Sequence, residues 1–278
     1  MSTKVTHRWR SASATLLLAV ALLTGCGLPA DWRPANDPVA AGPSPDGPLA
    51  PVATGGPTGV VDVVPSSVPV VPISYPASGG NRWVTAPAEA APARTGRGSL
   101  MRYRVAVERD IRGLPVEDIA TVITKTLNDP RGWTAGGAWR LRRVGAGDPT
   151  DFTIYLATPG TRDTLCQDQP EGYTSCRNGG RVVLNVARWV KGVPGYGASL
   201  ATYREYMVNH EVGHKLGFGH ERCPGRGRPA PVMQQQTLGL HGCTANAWPY
   251  PQGKVRYSGP VGAYDDRIPR REGAYSAH

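Results

Sequence analysis

His210-Glu211-Val212-Gly213-His214-Lys215-Leu216-Gly217-Phe218-Gly219-His220 sets five residues at fixed spacing, H-E-x-x-H-x-x-G-x-x-H. On a helix, residues i and i+4 share a face, so His210 and His214 can offer two imidazole nitrogens to one tetrahedral metal. Glu211 follows the first ligand directly, where its carboxylate can reach a water at the metal without becoming a ligand itself. Gly217 can take up a backbone conformation that costs other residues a Cβ clash, so the helix can end there and the chain can return His220 as third ligand. Three ligands leave a fourth position open, as a catalytic zinc requires. Three of the six histidines of the chain lie in this window, and chance should produce the full pattern in roughly one unrelated chain per ten thousand or fewer. A helix with ordinary half-buried histidines explains neither the glycine nor the third histidine. A structural zinc usually closes with four protein ligands and favours cysteine; Cys223 is close enough in sequence to keep that alternative open.

The motif resembles that of the metzincin clan of zinc endopeptidases, named for a methionine turn that forms an apolar floor under the metal. Pro231-Val232-Met233-Gln234 is the candidate turn, with Met233 matching its methionine. Gln234, Gln235 and Gln236 follow, so the tyrosine that some metzincins carry there has no counterpart. Tyr203-Arg204 before the motif, Ala230-Pro231-Val232-Met233 after it and Trp248-Pro249 near the end resemble more closely an actinobacterial family of secreted, peptidase-like domains of unknown function. That resemblance covers about residues 97 to 252. It implies that His210, His214 and His220 hold Zn2+ and that Glu211 acts as general base in hydrolysing a protein or peptide substrate. It also implies a substrate aligned on a sheet edge, for which the hairpin region before Val183 is the candidate. Two other classes stand beside the endopeptidase: a zinc-containing lipoprotein that binds wall polymer or a partner without turnover, and an amidase acting on peptidoglycan peptides.

Lys4, Arg8 and Arg10 precede an apolar stretch from Ala12 to Leu23, and Leu23-Thr24-Gly25-Cys26 matches a bacterial lipobox. Residues 1–26 therefore read as a lipoprotein signal peptide, with Cys26 carrying the lipid at the outer face of the cell membrane. A signal cut elsewhere or an uncleaved anchor would also export the domain. Residues 27–96 are dense in Pro, Ala, Gly and Val without useful periodicity and read as a disordered tether. Residues 60–71 could instead dock as a strand or propeptide, although Pro65 and Pro69 interrupt them. Setting Cys26 aside leaves Cys166, Cys176, Cys223 and Cys243, an even set in an exported domain. Three pairings exist, and sequence proximity favours Cys166 with Cys176 and Cys223 with Cys243. The second bridge would close a loop containing Met233. Zinc ligation by these cysteines is disfavoured because no C-x-x-C pair is present.

Residues 97–278 are long enough for one domain with its own core, with 252–278 as a loosely packed tail. Met101, Tyr103, Val105 and Val107 alternate as a first strand. Pro115 suits the first turn of a helix whose Val116, Ile119, Ile123 and Leu127 form one stripe, stopped by Asn128-Asp129-Pro130. Phe152, Ile154 and Leu156 mark another strand, Leu141–Val144 a weaker one and Arg181–Ala187 a clear one. The zinc-motif helix should begin near Ser199. These elements give an α+β class with two main helices, the zinc site on the second. The resemblance supplies the rest of the arrangement: a twisted mixed sheet and a small irregular C-terminal lobe holding the methionine turn.

The chain carries a net charge of +10. Residues 97–278 hold 25 Lys and Arg against 16 Asp and Glu, so the excess belongs to the domain. A basic surface suits anionic cell-wall polymers, headgroups or acidic substrates. Scattered arginines, export and the lack of a recognisable module argue against nucleic acid. The expected state is a monomer.

Overall fold

The computed structural model describes residues 71–90 and 96–277. The signal sequence with Cys26 and residues 27–70, including most of the candidate docking segment, lie outside the described residues. Six strands form a mixed sheet: β2 (Trp83–Thr85), β3 (Ser99–Glu108), β4 (Trp139–Arg143), β5 (Phe152–Ala157), β6 (Cys176–Asn178) and β7 (Arg181–Asn185). The order is β2-β3-β5-β7-β6, with β4 also paired to β3. Strands β3, β4, β5 and β7 run parallel, while β2 and β6 are antiparallel to their neighbours. A separate antiparallel pair joins β1 (Ser74–Tyr75) to β8 (Tyr275–Ser276) near the two ends of the described chain.

Helices α1 (Val116–Asn128), α2 (Pro159–Cys166), α3 (Val186–Lys191) and α4 (Leu200–Lys215) complete the α+β fold. The main core joins Val105, Ile154, Leu156, Val182 and Leu184 of the strands to Ile123 and Leu127 of α1 and to Met207, Val208 and Val212 of α4. Val183, between two residues of that face, points the other way and packs with Ala157, Leu165 and Cys166 under α2. That explains the unbroken apolar run of β7, a strand covered on both faces. The strand predicted over Arg181–Ala187 ends at Asn185, whose side chain accepts from the Ala187 amide and caps α3. Both sequence-favoured disulfides are present, Cys166–Cys176 tying α2 to β6 and Cys223–Cys243 closing the loop around Met233. No described helix is long and apolar enough to cross a membrane.

Two boundaries differ from the sequence reading. Residues 71–90, placed in the tether, are part of the domain: Trp83–Thr85 pair with Ala106–Glu108 of β3, and Ala86 donates to the Val105 carbonyl at 3.0 Å. Buried Glu108 explains the attachment. Its carboxylate accepts from Asn81 N, Thr158 N and Thr161 Oγ1 at 2.6–2.9 Å, joining this segment to the start of α2. Periodicity could not reveal a three-residue strand in a Pro- and Gly-rich stretch. Residues 252–278 likewise are not a loose tail: Gly262 N donates to the His220 carbonyl at 2.9 Å, Glu272 meets Arg188 and Lys191, and Tyr275 stacks on Tyr75.

Candidate metal centre

Helix α4 carries the motif. Ser199 accepts a hydrogen bond from Thr202 N at 3.1 Å at its start, which satisfies one of the otherwise unpaired first-turn amides. The other end closes with two paired bonds, Gly217 N to the His214 carbonyl at 3.1 Å and Phe218 N to the Gly213 carbonyl at 3.0 Å. This C-terminal closure needs a left-handed residue at Gly217, whose φ is +97°. The chain therefore turns back over the helix end and brings His220 beside His214.

The three imidazoles meet at one point. His214 Nε2 lies 3.2 Å from His210 Nε2 and 3.1 Å from His220 Nε2. The Nδ1 atom of His210 is 2.8 Å from the Val232 carbonyl, and that of His214 is 2.9 Å from the Phe218 carbonyl. A carbonyl only accepts, so both Nδ1 atoms carry the proton and both Nε2 atoms present bare lone pairs when the rings are neutral. Neutrality follows from the surroundings. Burial and the neighbouring imidazoles hold His210 well below the usual histidine range, burial lowers His214, and burial with His214 brings His220 down to about 4. Facing lone pairs repel unless a cation lies between them. Tetrahedral zinc with Zn–N distances of about 2.0–2.1 Å places its ligand nitrogens about 3.3 Å apart, close to the separations found. The triad is the one group of at least three His, Cys, Asp or Glu residues among the described residues that could hold a metal. The cysteines are engaged with one another, so Cys223 is no fourth ligand.

Glu211 is buried beside the triad. Burial pushes its carboxyl up to about 8, while the guanidinium of Arg162 pulls the other way. Its Oε2 is buried without a hydrogen-bond partner, a costly arrangement that fits a group facing a reacting molecule or cation.

Met233 is fully buried, and a Cβ added at Gly213 would lie 2.4 Å from its Sδ and 2.6 Å from Trp133 Cζ2. The turn thus packs directly under the helix between His210 and His214. Gln236 and Asn246 clamp it: Gln236 Nε2 donates to the Pro231 and Asn246 carbonyls at 3.1 and 2.7 Å, and Asn246 Nδ2 donates to the Ala230 carbonyl at 2.9 Å. Trp133 holds the opposite side, donating from Nε1 to the Asn209 carbonyl at 2.8 Å and stacking on Phe218. Sequence reasoning did not find Gly213, Trp133 or the clamp of Gln236 and Asn246. The small residue inside the motif was the one available sign.

A cleft of about 580 Å3 runs past the histidines. Its lining includes Cys176 and Arg177 of β6 and Gln235, Thr237 and Leu238, after the methionine turn. Arg177 Nη2 donates to the His214 carbonyl at 3.0 Å and fixes β6 against the end of α4. Buried Arg162 organises the loop leading to β6, pairing with Asp163, Asp168 and Glu171 at 2.6–2.9 Å.

The family model "Protein of unknown function (DUF3152)" matches residues 71–246. The chain belongs to that family. The DUF3152 match begins at Val71, includes β2, the triad, Glu211 and Met233, and ends at Asn246, which holds the turn. No curated protein matches the chain, and no solved structure matches it.

Proposed function

We propose that this site is the catalytic centre of a zinc-dependent endopeptidase of metzincin type. The observation that carries the reading is the convergence of His210, His214 and His220 through their Nε2 atoms, with the opposite ring nitrogens of His210 and His214 pinned as donors, beside a buried carboxylate with an unpaired oxygen. His210, His214 and His220 would hold the zinc, which when bound supplies Lewis acidity toward water and a peptide carbonyl. Glu211 accepts the proton of the attacking water at Oε2 and delivers it to the leaving amine. A carboxyl whose affinity for protons is raised by burial is suited to that double role, and the positive charge of a bound cation would bring it down toward neutrality. The rings of His210 and His214 need no proton exchange, because their Nδ1–H groups stay bonded to backbone carbonyls.

Strand β6 pairs with β7 on one side and ends the sheet on the other. An extended peptide can add to that edge by main-chain hydrogen bonds, with side chains entering the cleft alternately. The pairing would place its backbone along the face bearing His210 and Glu211. We place the enzyme outside the cytoplasm, tethered through a lipid on Cys26, in agreement with two disulfides in the domain. Its basic surface would favour anionic wall polymer nearby.

Glu211→Gln preserves shape and removes the base. Zinc content should stay near one per chain while cleavage of a peptide library falls by about 10²- to 10⁴-fold. Full retention of cleavage by Glu211→Gln would remove the catalytic assignment. Failure of the zinc-saturated wild type to cleave any peptide would favour a binding protein.

A further inference from the structure

The chain beyond the methionine turn returns to the cleft. Residues 259–266 are fastened beside the third histidine: Arg222 N donates to the Pro260 carbonyl at 2.7 Å, and Gly262 N donates to the His220 carbonyl at 2.9 Å. Tyr264 Oη accepts from Cys223 N at 3.2 Å, its ring stacks on His241, and His241 meets Asp266 at 2.9 Å. Residues 271–277 are fastened to α2, α3 and the start of the described chain. Arg271 pairs with Asp163 at 3.0 Å, Glu272 meets Arg188 and Lys191, and Ala277 N donates to the Ile73 carbonyl at 2.9 Å. Between these anchors, Arg267, Ile268, Pro269 and Arg270 are exposed, and from Asp266 to Arg271 the chain can span at most about 18 Å.

Ile268 lines the metal cleft. It is 41% exposed, and of the six exposed large apolar side chains among the described residues it is the one that faces this cleft. The rest of the lining is largely polar, Arg162, Asp168, Gln169 and Glu171 among it, and Leu238 is the one other aliphatic side chain there. A partly exposed isoleucine in such a cleft can gain burial from a ligand's apolar side chain.

We propose that residues 259–277 form a strap anchored beside His220 at one end and on α2 and α3 at the other, and that Ile268 on this strap contacts the substrate and selects an apolar side chain. The inference rests on the peptidase reading of the same cleft and adds a specificity residue to it. The strap lies beyond the segment matched by the family model, so this selectivity belongs to a part of the chain outside the motif-bearing core. A bound peptide passes between the strap and α4, and its apolar side chain covers Ile268.

The test is equilibrium binding to the full chain loaded with zinc, using acetyl-tripeptide hydroxamates. The parent carries three glycines, and three analogues carry leucine at one position each. At one position leucine should improve affinity over the parent by about tenfold, the size expected for a modest apolar contact. Ile268→Asp should abolish that gain while the parent binds as before. Val255→Asp, at a position 86% exposed and outside the cleft lining, should change neither. A leucine gain that survives in Ile268→Asp, or no gain at any position, overturns the strap contact and leaves the metal site standing. Failure of the all-glycine hydroxamate to bind the zinc-loaded wild type overturns the metal-site reading and the strap contact with it.

Discussion

Gly213 shows how little room the centre leaves. Its missing side chain is the space that Met233 Sδ and Trp133 Cζ2 occupy, so Gly213→Ala must push apart the turn, the indole and the helix at once. Overpacking of this kind costs about 1–3 kcal/mol, and zinc affinity should fall because His210 is oriented by Val232, the neighbour of Met233. Thermal melting with and without zinc would show both effects; an unchanged midpoint would mean the turn can retreat freely. Glu211 yields a prediction with a sign. Its folded-state pKa is raised to about 8 from 4.5, so in metal-free protein the unfolded chain gives up this proton first. The group is neutral in both states below about pH 4.5 and costs nothing. The cost grows as pH rises and levels off above about 8, on the order of 5 kcal/mol. Metal-free Glu211→Gln should therefore melt at a higher temperature than wild type at pH 8.5 and at nearly the same temperature at pH 4.5. The reverse order would contradict the buried setting. The convergence of the three histidines was legible because the chemistry proposed for them would fix their spacing. Gly213 and Trp133 were not, because what they do depends on contacts 20 and 76 residues away along the chain.

At the scale of elements, legibility follows the reach of the signal. Helix α1 shows in the sequence through an unbroken stripe and a proline at its start, and the structure buries Val116, Ile119, Ile123 and Leu127 on one face. Helix α4 has a weaker stripe. Its burial runs consecutively from Tyr206 to Gly213, because the sheet, α1, Trp133 and the methionine turn enclose it from several directions. The cap at Ser199 and the glycine at 217 marked its ends where periodicity did not. Strand β6 is three residues long and lies between a disulfide and a turn, so it carries too few residues for alternation to register. The cap provides a test of whether the helix and the metal site can be separated. Ser199→Ala removes the acceptor for Thr202 N at the end of α4 away from the histidines, and should lower stability by about 1 kcal/mol. Zinc affinity should stay within experimental error of wild type. A matching loss of zinc affinity would show that the first turn and the ligand turns of α4 do not behave as independent sites.

Across the molecule, residues 71–90 and the C-terminal segment play the same part from opposite ends of the described chain. Each looks like a linker by composition, and each is held by polar partners that no composition reveals. Glu108 makes the first case. Its fully buried carboxylate has no cation among its hydrogen-bond partners and relies on amide and hydroxyl donors, one of them Asn81 N. Removing residues 71–96 would strip away that donor, the β2 pairing and the contact of Trp83 with Tyr155, exposing an edge of β3. It would also take away β1, the partner of β8, and so loosen the end of the C-terminal segment. A chain beginning at Val71 should accordingly fold, bind zinc and melt cooperatively, whereas one beginning at Arg97 should melt at a lower temperature or aggregate. Losing even one charge-assisted hydrogen bond to a buried carboxylate costs about 1.5–3 kcal/mol, a large share of a typical domain stability of about 5–15 kcal/mol. Equal melting of the two truncated chains would show that the N-terminal strands rest on the domain without supporting it. It would then be the core from β3 onward, with the disulfides, that holds the metal centre in place.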